Sequence, residues 1–267
     1  MIVSNQGDLF YDLGITDEEA YDKVETAYIM AEILGMDKDR VNFTSELGSR
    51  VPARTSLKAG RILFTDNYLR DERENSFYFF QEALLHESAH MNDMLRWDRE
   101  GAEASERFID LFMFFTEGLA SQFDRRESSY PVPNSLFENF YSRAKDSDKT
   151  AGKVLREMLG GNKIFRTGLR KDDSDFYTYR IVDRKNITDP VEVYEDMKES
   201  YIEKHSEKGL SLVEEKSSWI EIEDAEAEIL GEHYFETYRD TEEKIDDYLD
   251  RSSYFLERYG LEDVFEN

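Results

Sequence analysis

Two histidines four residues apart, in His86-Glu87-Ser88-Ala89-His90, constrain this chain more than any other feature. On a helix, positions i and i+4 project from one face, so both imidazoles can reach a single point in space. Two imidazoles converging in this way can hold one ion, each nitrogen about 2.0–2.1 Å from it. Glu87 leans over the same point without having to bind, where it can take a proton from a water and hand it on. The competing explanation is a chance pattern in a glutamate-rich, helical protein. Only two further histidines exist, His205 and His233, so the pair does not reflect a histidine-rich composition. The pattern needs a helix here, and the apolar positions Phe79, Ala83, Leu84 and Ala89 predict one from about Asn75 to Trp97.

A catalytic metal site needs a third protein ligand and an open position. A third histidine six residues after His90 would supply it in one known pattern, but Arg96 stands there. Glu117 is the better candidate. It follows the apolar run Phe108-Ile109-Asp110-Leu111-Phe112-Met113-Phe114-Phe115 on a second helix predicted over about Ala102 to Phe123. A carboxylate in such a setting is costly unless a charge meets it. Gly118 and Ala120 are small enough to let this helix pack close to the histidine helix. The bland alternative is a helix-end carboxylate opening a polar turn. Asp110 is the chief rival, seven residues earlier on the same face, or else a partner that orients a ligand histidine. Glu106 and Glu103 are weaker rivals.

His86-Glu87-x-x-His90 followed by Glu117-Gly118-Leu119-Ala120 resembles the gluzincin branch of zinc metallopeptidases. Within it the chain is similar to small bacterial and archaeal members in which a Glu-Gly-Leu-Ala segment supplies the third ligand. The resemblance covers roughly residues 60–125. It implies a bound Zn2+ held by His86, His90 and Glu117, with Glu87 as general base in peptide-bond hydrolysis. It also implies an α+β, mostly α, zincin-like fold: a small N-terminal sheet, the histidine-bearing helix, and a helical C-terminal lobe. Arg61 to Thr65 is then expected as the edge strand beside the cleft, where an extended peptide can pair. One departure stands out. The thermolysin type carries an aspartate four residues after the ligand glutamate, and this chain has Ser121, so support for the histidines must come from elsewhere. The family also offers a His or Tyr to steady the oxyanion. Gly231-Glu232-His233-Tyr234 provides both, with Tyr238 one turn on; the plain alternative is that His233 lies at the surface and Tyr234 packs. A degenerate relative that kept the fold without turnover is the alternative to an enzyme. His205, in a charged run, reads as solvated.

Elsewhere the pattern is mostly helical. Thr16 to Glu19 reads as a capping box opening a helix that Gly35 ends. Val41 to Thr44 and Arg61 to Thr65 read as strands, with a weak third from Phe176 to Val182. Pro131 and Pro133 mark a break, which divides a single catalytic domain into an N-terminal lobe, 1–130, and a helical C-terminal lobe, 131–267. Helices are expected near 135–145, 151–160, 191–204, 221–239 and 241–258, and loops over 146–150 and 205–218.

Charge narrows the partners. Sixty acidic residues against 34 basic give a net charge of −26, a field that repels nucleic acid and anionic membranes. A peptide or protein substrate is the expected partner. With no cysteine, thiolate metal sites and disulfides are excluded. Met1 to Ile15 lacks the basic and apolar stretches of a signal peptide, so a cytoplasmic location is expected.

Overall fold

Asp17 opens helix α1 (Glu18–Ile33), its side chain accepting from the Glu19 amide at 3.3 Å. The cap therefore lies one residue later than the capping-box reading placed it, and Thr16 falls outside the described residues. Gly35, at φ +71°, ends the helix, and the Met36 amide donates back to the Ala31 carbonyl at 2.8 Å. The computed structural model describes residues 17–44, 53–56, 59–69, 75–100, 106–124, 131–171, 174–183, 185, 189–205 and 210–265. For 98–100, 106–110, 170–171, 174–176, 201–205 and 210 it describes the backbone alone.

The chain divides into two compact units. The first comprises Met1–Ala102, Phe123–Arg126 and Thr237–Asn267. It holds α1, the strands β1 (Val41–Thr44), β2 (Ala53–Ser56) and β3 (Arg61–Thr65), and helix α2 (Ser76–Glu100). The sheet order is β1-β3-β2, with β1 parallel and β2 antiparallel to β3. Arg61 to Thr65 is thus the central strand, correcting its expected place at the edge. Its buried Ile62 and Phe64 explain why: a strand paired on both sides is the one that carries the apolar residues inward. Phe64 packs against Phe43 and Phe80, with ring centroids 5.4 and 5.0 Å away, and so ties β1, β3 and α2 together. Val24, Ala27 and Met30 of α1 and Tyr248 and Leu256 of the late helix α7 (Asp224–Arg258) complete this core.

The second unit comprises Glu103–Gln122 and Glu127–Glu236. It contains helices α3 (Glu106–Ala120), α4 (Pro131–Lys145), α5 (Ala151–Leu159) and α6 (Pro190–His205), and the strands β4 (Asn162–Lys171), β5 (Ser174–Asp183) and β6 (Leu210–Ile220). These strands form an antiparallel sheet in the order β5-β4-β6. The region after Pro131 is therefore not purely helical, and 210–218 is strand rather than loop. The polar run hid β6 because its alternation is broken. Arg166 pairs with Ser218 but Gly168 with Val213, so residues 214–217 bulge opposite Thr167 alone. A Cβ at Gly168 would lie 2.9 Å from the Lys216 Cβ, which is why glycine stands beneath the bulge.

Pro131 and Pro133 stand in the first turn of α4, where the missing N–H of a proline costs nothing. One further expectation is corrected. The helices foreseen near 221–239 and 241–258 are one, α7, because Asp240 and Thr241 continue the helical ladder. No helix among the described residues is long and apolar enough to cross a membrane.

Candidate metal centre

His86 and His90 lie mid-way along α2, one turn apart, and their rings meet edge to face with centroids 4.8 Å apart. The two Nε2 atoms approach to 3.1 Å. Two ligands of a tetrahedral ion at about 2.05 Å would sit about 3.3 Å apart, so this spacing suits a shared ion. The His86 Nδ1–H donates to Asp124 Oδ1 at 2.9 Å. With the proton held on Nδ1, Nε2 carries the lone pair that a metal needs.

Glu117, in the last turn of α3, joins them. One ligand atom each from His86, His90 and Glu117 lies within 4.8 Å of the others, and this trio is the one such group among the described residues. His90 is buried, the other two half-buried. Glu117 Oε2 is shut off from solvent, a position in which a carboxylate oxygen is costly without a cation nearby. Two imidazoles and a carboxylate are a donor set that metal ions of intermediate softness take. The residues fit a metal ion.

Glu87 is 8% exposed and held from the sheet. The Thr55 hydroxyl, on strand β2, lies 2.7 Å from Glu87 Oε2 and 3.0 Å from the Glu87 carbonyl, donating to either. Thr55 was not foreseen, and its strand carried no apolar signal: Ala53-Arg54-Thr55-Ser56 is half-exposed throughout except for exposed Arg54.

Asp124 was missed as well. It answers the problem posed by Ser121: the carboxylate that orients a histidine comes seven residues after Glu117 instead of four. A short 3-10 turn, Ser121–Phe123, carries the chain from the helix end to that position. A second acidic residue soon after Glu117 was the available clue.

Gly118 serves a different contact from the one expected. A Cβ there would come within 2.7 Å of the Pro133 carbonyl oxygen and 3.1 Å of Phe137 Cβ, so it admits α4 against α3. The rival Asp110 lies on α3 where only the backbone is described, as does Glu106; Glu103 is outside the described residues, and the side chain of His205 is not described.

Tyr234 is fully buried, stacks on Phe115 at 5.4 Å, and donates its hydroxyl to the Phe112 carbonyl at 3.3 Å. Its placement is that of a core residue. His233 is 4% exposed, so it is not a surface residue, and meets Tyr234 edge-on at 5.0 Å. Tyr238 is half-buried and stacks on Phe123 at 5.5 Å, one residue before Asp124.

No protein family model matches the chain, and no curated protein or solved structure shows significant similarity to it.

Proposed function

We propose that the protein is a zinc-dependent peptidase of gluzincin character, with His86, His90 and Glu117 as ligands and Glu87 as general base. The observation that supports it most is the joint placement of three potential ligands beside a glutamate that needs no place among them. Zinc, when bound, supplies Lewis acidity toward a carbonyl and lowers the pKa of a coordinated water. The chain's own residues do the rest. Asp124 holds the His86 ring so that Nε2 faces inward. Thr55 ties Glu87 Oε2, leaving Oε1 to take a proton from water and pass it to the departing amine.

Strand β2 takes the role first expected of Arg61 to Thr65. Among the described residues it is the antiparallel edge of its sheet and lies beside Glu87 through Thr55, so an extended peptide could pair along it. Tyr238 is the better choice than Tyr234 for steadying an oxyanion, since Tyr234 spends its hydroxyl on a core carbonyl. His233 stays in the proposal as the alternative donor.

The test is peptide cleavage by the purified protein loaded with zinc. Cleavage lost in Glu87→Gln with zinc content unchanged is the expected result. Stoichiometric zinc with no turnover across a broad peptide library would instead favour a binding protein that kept the metal.

A further inference from the structure

Strand β5 is paired on one side. Its sheet runs β5-β4-β6, so among the described residues β5 bonds to β4 alone. A cavity of about 660 Å3 lies against its last residues, lined by Arg180, Ile181, Val182 and Asp183 in succession. Successive strand side chains point to opposite faces. Four consecutive residues can border one cavity only if backbone atoms take part, and the backbone N–H and C=O groups of β5 that β4 leaves unused look out from its other edge.

The facing wall is α6. Glu192, Glu195, Asp196 and Glu199 line it, at the i, i+3, i+4, i+7 spacing of one helical face. The neighbouring face of α6, with Tyr194 and Met197, is buried in a cluster with Phe165, which fixes the direction in which the acidic stripe looks. Five carboxylates against one guanidinium leave the lining four charges negative. Arg180 is already 2.6 Å from Asp196, and Glu195 is 3.4 Å from Lys198. Edge strands are ordinarily guarded by lysine or proline. This one is flanked by carboxylates, which draw a cationic chain toward it.

We propose that this groove binds an extended, lysine- or arginine-rich segment of another protein, added as a further strand on β5. Alternate side chains of such a strand recur every ~6.8 Å, and the acidic helix turns recur every ~5.4 Å. Flexible basic side chains bridge that difference, so each can reach a carboxylate of α6. This site is independent of the metal centre and of any peptidase activity.

The experiment is fluorescence polarisation of a labelled nonapeptide alternating lysine and threonine, titrated with the full chain carrying Glu87→Gln so that the probe stays intact. Saturable binding that weakens with salt is expected. Glu192→Lys with Glu199→Lys weakens it roughly tenfold or more. The same peptide N-methylated at every residue, which lacks donors for β5, also loses binding. Far-UV circular dichroism checks the variant's fold, and Glu192→Gln with Glu199→Gln replaces it should the charge reversal unfold the chain. Absence of saturable binding overturns the proposal. So does equal binding by the charge variants, or by the N-methylated peptide, which would reduce the attraction to diffuse charge.

Discussion

Asp124 and Thr55 each act through a neighbour, and each leads to a distinct measurement. Asp124 orients His86 at 2.9 Å, so Asp124→Ala leaves the histidine free to turn. Metal affinity should fall by about 10- to 100-fold, read by competition with a chelating dye. Unchanged affinity would mean that His86 needs no such support. Thr55 holds Glu87. Thr55→Val should lower kcat several-fold with KM and zinc content little changed, and Thr55→Ser, which keeps the hydroxyl, should restore it. A Ser variant as impaired as Val would point to packing by the Thr55 methyl group instead. Glu87→Gln removes the proposed base, and a loss of about 10²- to 10⁴-fold in kcat is expected.

At the scale of elements, the histidine helix is anchored by a partly buried polar clamp. Asn92, two residues past His90, donates to Asp240 Oδ2 at 3.0 Å and Thr241 Oγ1 at 2.8 Å. Lys244 donates to Asn92 Oδ1 at 2.7 Å and Asp240 Oδ2 at 2.6 Å, so α2 is locked to the later part of α7. Asn92 is fully buried, and Asn92→Ala strands its partners. Destabilisation of about 1–3 kcal/mol is expected in urea unfolding; a neutral result would mean that the clamp is open in solution. This clamp was illegible in the sequence, because its residues lie about 150 positions apart. What could be read was local. The apolar positions Phe79, Ala83, Leu84 and Ala89 around the histidines announce α2, and Val41 to Thr44 and Arg61 to Thr65 announce β1 and β3 to the residue. Pairing order is not legible in a single sequence, so Arg61 to Thr65 reads as an edge although it is the central strand. β6 escaped because its bulge resets the alternation. Among the site residues, the trio His86, His90 and Glu117 was visible as a spacing, whereas Thr55 and Asp124 act through contacts 32 and 38 residues distant in sequence.

On the scale of the whole molecule, a net charge of −26 makes the folded chain repel itself. Screening acts over about 10 Å at 0.1 M salt, so Tm should rise as sodium chloride is added, and a flat response would show the charges already offset in pairs. At the alkaline end, Tyr248 is raised above its ordinary 10.0 by burial, although hydrogen bonds with Thr26, Ser252 and Gln81 pull the other way. Tyr259 is raised by burial and by the neighbouring Asp22 carboxylate. A phenol whose folded pKa exceeds its unfolded value stabilises the fold fully below pH 10 and loses that contribution as pH climbs toward the folded value. Their ionisation, followed at the tyrosinate absorbance band, should therefore coincide with unfolding. Above all these stands the proposal of a shared ion. Metal content measured by inductively coupled plasma mass spectrometry, on protein loaded with zinc and dialysed, tests it most directly. One zinc per chain, lost in His86→Ala, His90→Ala and Glu117→Ala variants that stay folded, is the predicted result. Zinc retained in full by those variants, or none bound by the parent protein, would contradict it.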